Sequence, residues 1–170
     1  MESAVPDDGL ARQIDGDSLL AALDVDDDEI RWRKEFTGFG PDDAARLTDM
    51  ADLFESVADE AVDEFYDHLT DYDETTAVLN RSTRTVDQLK ETQAEYLLSL
   101  ATGDYDREYF ENRARIGKIH DMLDMPMKHY LGAYALYLNV LVPRIGERVV
   151  ERTTERVGDE AAEVVREEFT

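Results

Sequence analysis

Three histidines carry most of the chemistry available to this chain, because its 170 residues contain no cysteine. Disulfides, thiolate metal sites and cysteine nucleophiles are thereby excluded, and a metal would have to be met by His, Asp, Glu or Tyr. His120 stands out among the three. It shares a stripe with Tyr109, Ile116 and Leu123, at spacings that place side chains on one face of a helix. A neutral imidazole on such a face is a candidate axial ligand for iron. The competing reading is a core histidine satisfied by hydrogen bonds inside the fold. His68, after Asp67 near a helix end, and His129, beside Lys128 at a helix start, are expected to face water. The residues three positions before the histidines are Phe65, Gly117 and Pro126. The Glu-x-x-His spacing that builds a diiron bundle is therefore missing.

Three hydroxyls also fall on otherwise apolar faces. Tyr66 belongs with Val62, Phe65 and Leu69; Thr92 lies between Leu89 and Tyr96; Tyr130 aligns with Tyr134, Tyr137 and Leu141, which could line a pocket together. A buried hydroxyl needs a partner, which can be a backbone carbonyl of its own helix or a group held in a pocket, and the residue pattern leaves both readings open. No G-x-x-x-x-G-K, G-x-S-x-G or H-E-x-x-H occurs, and the acids are too numerous to nominate a general acid and base. The chain is not expected to be an enzyme.

These side chains must be positioned by helices, since apolar residues recur with a helical period and no segment alternates convincingly. Asp26 to Asp28 can cap a segment with Ile30, Trp32 and Phe36, and Pro41 is well placed to start two helices, or one bent helix, running through Phe54 to Leu69. A short segment through Tyr72 and Leu79 comes next. Ser82 or Thr83 is expected to cap a helix through Val86, Leu89, Tyr96 and Leu100 that ends at Gly103. Further helices are expected over about 105–123, from Pro126 to about Val150, and from about Thr154 onward. The fold class is all-α, with residues 1–14 as an acidic tail and 15–170 as one domain.

A balance of 41 acidic against 18 basic residues gives a formal charge of −23. Such a field repels phosphate backbones and anionic lipid, so neither nucleic acid nor membrane is expected as a partner. Only Lys34, Lys90, Lys118 and Lys128 are lysines, a pattern that suits a salt-loaded cytoplasm. Met1 to Gly9 has no apolar run, and the longest apolar stretch, Leu131 to Val142, is interrupted by Asn139 and falls short of the roughly 20 residues a span requires. A cytoplasmic location is expected. The final segment, with Val157, Ala161, Val164 and Phe169, is still amphipathic at Thr170, so a continuation is expected too.

The segment from Arg113 through Ile116, Gly117 and His120, followed by Met125 to Ala133, resembles the proximal region of globin-coupled sensors, most closely the haem-based aerotactic transducers. The pair Phe65 and Tyr66 and the run Val86 to Thr92 match as well, so that the resemblance covers about residues 29–150, and the acidity points to a halophilic archaeon. It implies a globin fold with an extra N-terminal helix and a haem b, iron protoporphyrin IX, ligated by His120. Tyr66 and Thr92 would be distal hydroxyls, Leu89 an apolar distal contact, and Phe65 and Ile116 further pocket residues. Tyr130 would be the tyrosine whose rearrangement is tied to signalling. His129 departs from the aromatic associated with its position.

The resemblance further implies reversible binding of oxygen, with carbon monoxide and nitric oxide as additional ligands. It also implies a homodimer built on the last two helices and a downstream chemotaxis-type signalling domain. A distal hydroxyl favours oxygen, which gains negative charge on binding, by about 1 kcal/mol over a ligand that does not. Two alternatives remain at this level: a haem globin for oxygen storage or redox chemistry, and a haem-free helical dimerisation module.

Overall fold

The computed structural model describes residues 14–157, and every regular element among them is an α-helix. The expected tail over 1–14 thus lies, apart from Ile14, outside the described residues, as does the segment 158–170. In chain order the helices are α1 (Gly16–Ala22), α2 (Asp27–Thr37), α3 (Pro41–Thr48), α4 (Ala51–Thr70), α5 (Asp73–Leu79), α6 (Val86–Ser99), α7 (Arg107–Met122) and α8 (Met127–Val157). They fall into two units, the first ending at Pro126 and the second beginning at Met127.

Local chemistry sets most of the boundaries. Asp26 accepts a hydrogen bond from the Glu29 amide at 2.9 Å, capping α2, and Gly38 closes that helix in the left-handed conformation at φ 69°. Pro41 takes the first position of α3, where its missing N–H costs nothing, and the Asp43 carboxylate accepts from the Gly40 amide at 2.9 Å. Helices α3 and α4 are separate, divided at Asp49 and Met50. The cap of α6 is Thr85, not Ser82 or Thr83. Thr85 Oγ1 accepts from the Gln88 amide, and the Gln88 side chain accepts in return from the Thr85 amide at 3.0 Å. This reciprocal pair satisfies two amides at once, an advantage neither earlier residue has. Ser82 instead accepts from the Arg84 amide at 3.1 Å and shapes the preceding turn.

Within the first unit, α4 makes its most extensive pairing with α6. The inward face of α4 buries Phe54, Val57, Ala58, Ala61, Val62, Phe65 and Tyr66, a helical stripe that continues along most of its length. Leu97 on α6 is 1% exposed. Across this pair, Lys90 donates to Asp63 at 2.7 Å. The Asp63 hydrogen bond raises the Lys90 pKa, but the pair lies at the surface and does little for stability.

Helix α7 is covered differently. A small core of Leu20, Val25 and Ile30 from the N-terminal region packs against Phe110 and Ala114. Gly16 allows the approach of α1, for a Cβ there would lie 2.8 Å from Glu111 Cβ and 2.6 Å from Arg115 Cζ. Arg107 ties α7 to Asp17 and, at 3.5 Å, to Asp27. Since residues two apart are turned about 200° around a helix, the contacts of Ala114 engage the side of α7 opposite Ile116. Of the apolar residues on α2, Ile30 is buried while Trp32 and Phe36 stack on each other in solvent, ring centroids 5.0 Å apart.

In the second unit, α8 is one helix through Val157, without the break expected between about 150 and 154. Thr153 and Thr154, where a last helix was expected to start, donate back to the Val149 and Val150 carbonyls at 2.7 and 2.9 Å, a pattern compatible with helix interiors. Pro143 sits inside the helix. Tyr134, expected beside Tyr130 and Tyr137 in a pocket lining, is 47% exposed and joins Leu131, Leu138 and Val142 in an exposed apolar stripe.

Candidate functional site

His120 lies in the last turn of α7, one turn beyond Ile116, and both side chains are half-buried. Burial lowers the pKa of the His120 imidazole, favouring the neutral form that a metal needs as ligand. The turn after it is held firmly. Met125 N–H donates to the His120 carbonyl at 3.1 Å, Asp124 adopts φ 50°, and Arg81, from the loop after α5, donates to the Leu123 and Asp124 carbonyls, both at 2.8 Å. The clamp satisfies two carbonyls beyond the end of the helix. His68 is exposed, as expected, whereas His129 is half-buried instead of facing water.

Helices α4 and α6 bring Phe65, Tyr66, Leu89 and Thr92 onto one helix pair. Phe65 and Tyr66 are both buried, their rings meeting edge to face at 5.4 Å. The two hydroxyls are in different situations. Thr92 Oγ1 donates to the Gln88 carbonyl of its own helix at 3.0 Å and accepts from an Arg84 guanidinium N–H, so its single proton is committed. Tyr66 is 6% exposed, and among the described residues its hydroxyl has no hydrogen-bond partner. Burial pushes the phenol well above its ordinary pKa, opposed by the positive charge of Arg84. A neutral donor O–H is therefore available there at any ordinary pH.

Arg84 and Arg113 were not singled out by their residue types. Arg84 lies in the loop just before the Thr85 cap, where neither its residue type nor its spacing marks it. Arg113 joins α6 to α7: its guanidinium donates to Ser99 Oγ at 2.8 Å and stacks between the rings of Tyr96 and Tyr109, at 4.5 and 4.2 Å. Such a stack between two aromatics holds helices together while keeping the charge partly solvated. Tyr130 belongs to the second unit, on the first turn of α8, where its hydroxyl accepts from Tyr134 at 3.3 Å.

The donor set fits a haem. Among the described residues no group of three or more His, Asp, Glu or Cys could hold a metal ion by protein ligands alone. A single neutral imidazole can hold iron only as an axial ligand to a macrocycle that supplies the other donors. The apolar Phe65, Leu89 and Ile116, and a Tyr66 hydroxyl with no hydrogen-bond partner among the described residues, suit a flat apolar group with a polar ligand beyond it.

An all-helical fold with a half-buried histidine on one helix and apolar side chains on a helix pair is consistent with a globin. The chain belongs to the Protoglobin family, whose model matches residues 26–162. It is also 49% identical over 154 residues, 91% of its length, to the heme-based aerotactic transducer HemAT of Halobacterium salinarum. The chain spans 31% of that relative. None of the solved structures matches it. The resemblance read over residues 29–150 lies inside the family match.

Proposed function

We propose that this domain is a haem-based oxygen sensor that passes its state to a transducer domain of the chemotaxis type, as the name of its Halobacterium relative suggests. Two observations carry the reading: burial favours the neutral form of the half-buried His120, and the hydroxyl of the buried Tyr66 residue is engaged by no described residue. When bound, haem supplies a ferrous iron that takes a diatomic ligand reversibly. His120 would hold the iron from α7, Phe65, Leu89 and Ile116 would exclude water, and Tyr66 would supply a hydrogen-bond donor to a diatomic ligand. Thr92, its proton committed to Gln88, shapes the pocket and helps hold Arg84. The absence of cysteine leaves no residue for thioether attachment, which supports a non-covalently held haem b. Oxygen is the ligand sensed, and carbon monoxide and nitric oxide bind at the same site. Catalysis is no part of this role.

Tyr130 stands on the first turn of α8, the helix that leads toward the chain's end, and its role is to relay a change of ligand state along that helix. The exposed stripe of Leu131, Tyr134, Leu138 and Val142 supports a homodimer, with two copies of α8 as the centre of a helical bundle. Among the described residues no helix is long and apolar enough to cross a membrane, in keeping with a cytoplasmic setting.

An absorption spectrum of the ferrous protein with and without oxygen tests cofactor and ligand together. A strong band near 400 nm that shifts reversibly with oxygen is expected; a colourless protein indifferent to added haemin would end the proposal. Light scattering in molar salt should give a dimer that Leu138→Glu with Val142→Glu converts to monomer. A monomeric parent protein at tens of micromolar would refute the interface.

A further inference from the structure

We propose that Arg84 is the residue that tunes this pocket toward ligands that gain negative charge on binding, acting through Thr92 and Tyr66. The inference rests on the haem reading and extends it to a residue outside the expected site.

Three observations converge on Arg84. The guanidinium reaches from the loop between α5 and α6 and donates to Thr92 Oγ1, one turn beyond Leu89 on the pocket-bearing helix. That side-chain hydroxyl already donates to the Gln88 carbonyl at 3.0 Å, so Thr92 can offer no proton to a ligand without releasing its helix. By occupying an acceptor site on the same oxygen, Arg84 locks the Thr92 rotamer. Second, Arg84 acts on the buried Tyr66 phenol, favouring its ionised form against the effect of burial, and so makes this O–H a more polar donor.

Third, the charge is not neutralised. In a chain with 41 acids and 18 bases, Arg31, Arg33, Arg46 and Arg107 each meet a carboxylate. Among the described residues none comes within ion-pair distance of Arg84, which is half-buried. A partly desolvated cation with no counter-charge is costly, and one held by a threonine hydroxyl in so acidic a protein asks for an anionic partner. An iron-bound ligand that accumulates charge is such a partner; carbon monoxide, which accumulates little, is not. Arg84 thereby becomes a positioning and field-setting residue, with Tyr66 making the direct contact.

The test uses the haem-loaded protein and its Arg84→Met, Arg84→Gln and Arg84→Lys variants. Fluoride binding to the ferric form, read by absorption, should weaken about tenfold in the Met and Gln variants and recover in the Lys variant, as expected for loss and restoration of a charge-assisted interaction. Oxygen release should quicken several-fold, while carbon monoxide affinity stays within twofold. In the carbon monoxide complex, the methyl carbon resonance of Thr92 should shift on Arg84→Met, reporting the lost hydrogen bond independently of ligand affinity. Unchanged fluoride affinity in variants that retain haem and an intact ferrous spectrum would overturn the assignment. So would equal loss of fluoride and carbon monoxide, which would mark a merely structural residue. A parent protein that takes up no haem would overturn instead the reading on which this one rests.

Discussion

The helix pair α4 and α6 and the helix α7 are covered by the rest of the protein in different ways. Helix α4 buries seven residues against its neighbours, and α6 adds Leu97, so this side is completed by protein contacts alone. Helix α7 has no fully buried residue: Phe110 and Ala114, which rest on the N-terminal core, and Ile116 and His120 are all half-buried. The difference teaches where order comes from in each region. Close packing fixes Phe65 and Tyr66, and hydrogen bonds hold Thr92, whereas His120 stands in the last turn of a helix whose end is clamped by Arg81. In the sensor proposed above, the packed helix pair would discriminate among ligands and the half-buried helix would respond.

The largest effect should come from breaking the responsive wall. His120→Ala removes the proposed iron ligand and is expected to abolish stable haem binding, as measured by the near-400 nm band after gel filtration. Equal haem retention with an unchanged ferrous spectrum would contradict the assignment. On the packed wall the expected loss is of stability and not of cofactor. Leu97→Ala should cost about 2–5 kcal/mol in denaturant unfolding, yet leave the spectrum of the surviving folded protein intact. Ile116→Ala sharpens the contrast. It should cost only about 1 kcal/mol or less in the same unfolding measurement, since its site is half-covered, while haem dissociation accelerates measurably.

The two distal hydroxyls should separate next. Tyr66→Phe is expected to speed oxygen release several-fold, equivalent to about 1 kcal/mol, with carbon monoxide release little changed. Thr92→Val should alter oxygen release less, because its proton belongs to Gln88. Stopped-flow off-rates decide the order, and a larger effect from Thr92→Val would reverse the roles of the two hydroxyls. The smallest effect tests the frame around the distal wall. Thr85→Ala removes the α6 cap and should lower stability by about 1 kcal/mol, visible as a lower thermal midpoint without a change in ligand kinetics.

Much of this arrangement was legible in the residue pattern. Helical periodicity is a one-dimensional property, so Phe54 to Leu69 announced α4 and Asp26 announced the start of α2 without any knowledge of neighbours. The Thr85-x-x-Gln88 spacing was equally visible, but Ser82 and Thr83 are also good caps, and only the reciprocal bonds single out Thr85. His120 could be selected because a lone imidazole on an apolar stripe in a chain without cysteine has few roles, and the resemblance then narrowed them.

Tertiary structure decided what depends on partners from other elements. Thr92 and Tyr66 look alike as hydroxyls on apolar faces, yet one is engaged by Gln88 and Arg84 and the other by no described residue. Arg84 itself is a plain loop arginine until the fold lays its guanidinium on Thr92. Tyr134, at the right helical spacing to line a pocket with Tyr130, is turned to solvent. Spacing tells which side chains share a face, but not which face the rest of the molecule covers. The availability of a proton or a charge is set by that cover and by the groups it brings within hydrogen-bond reach.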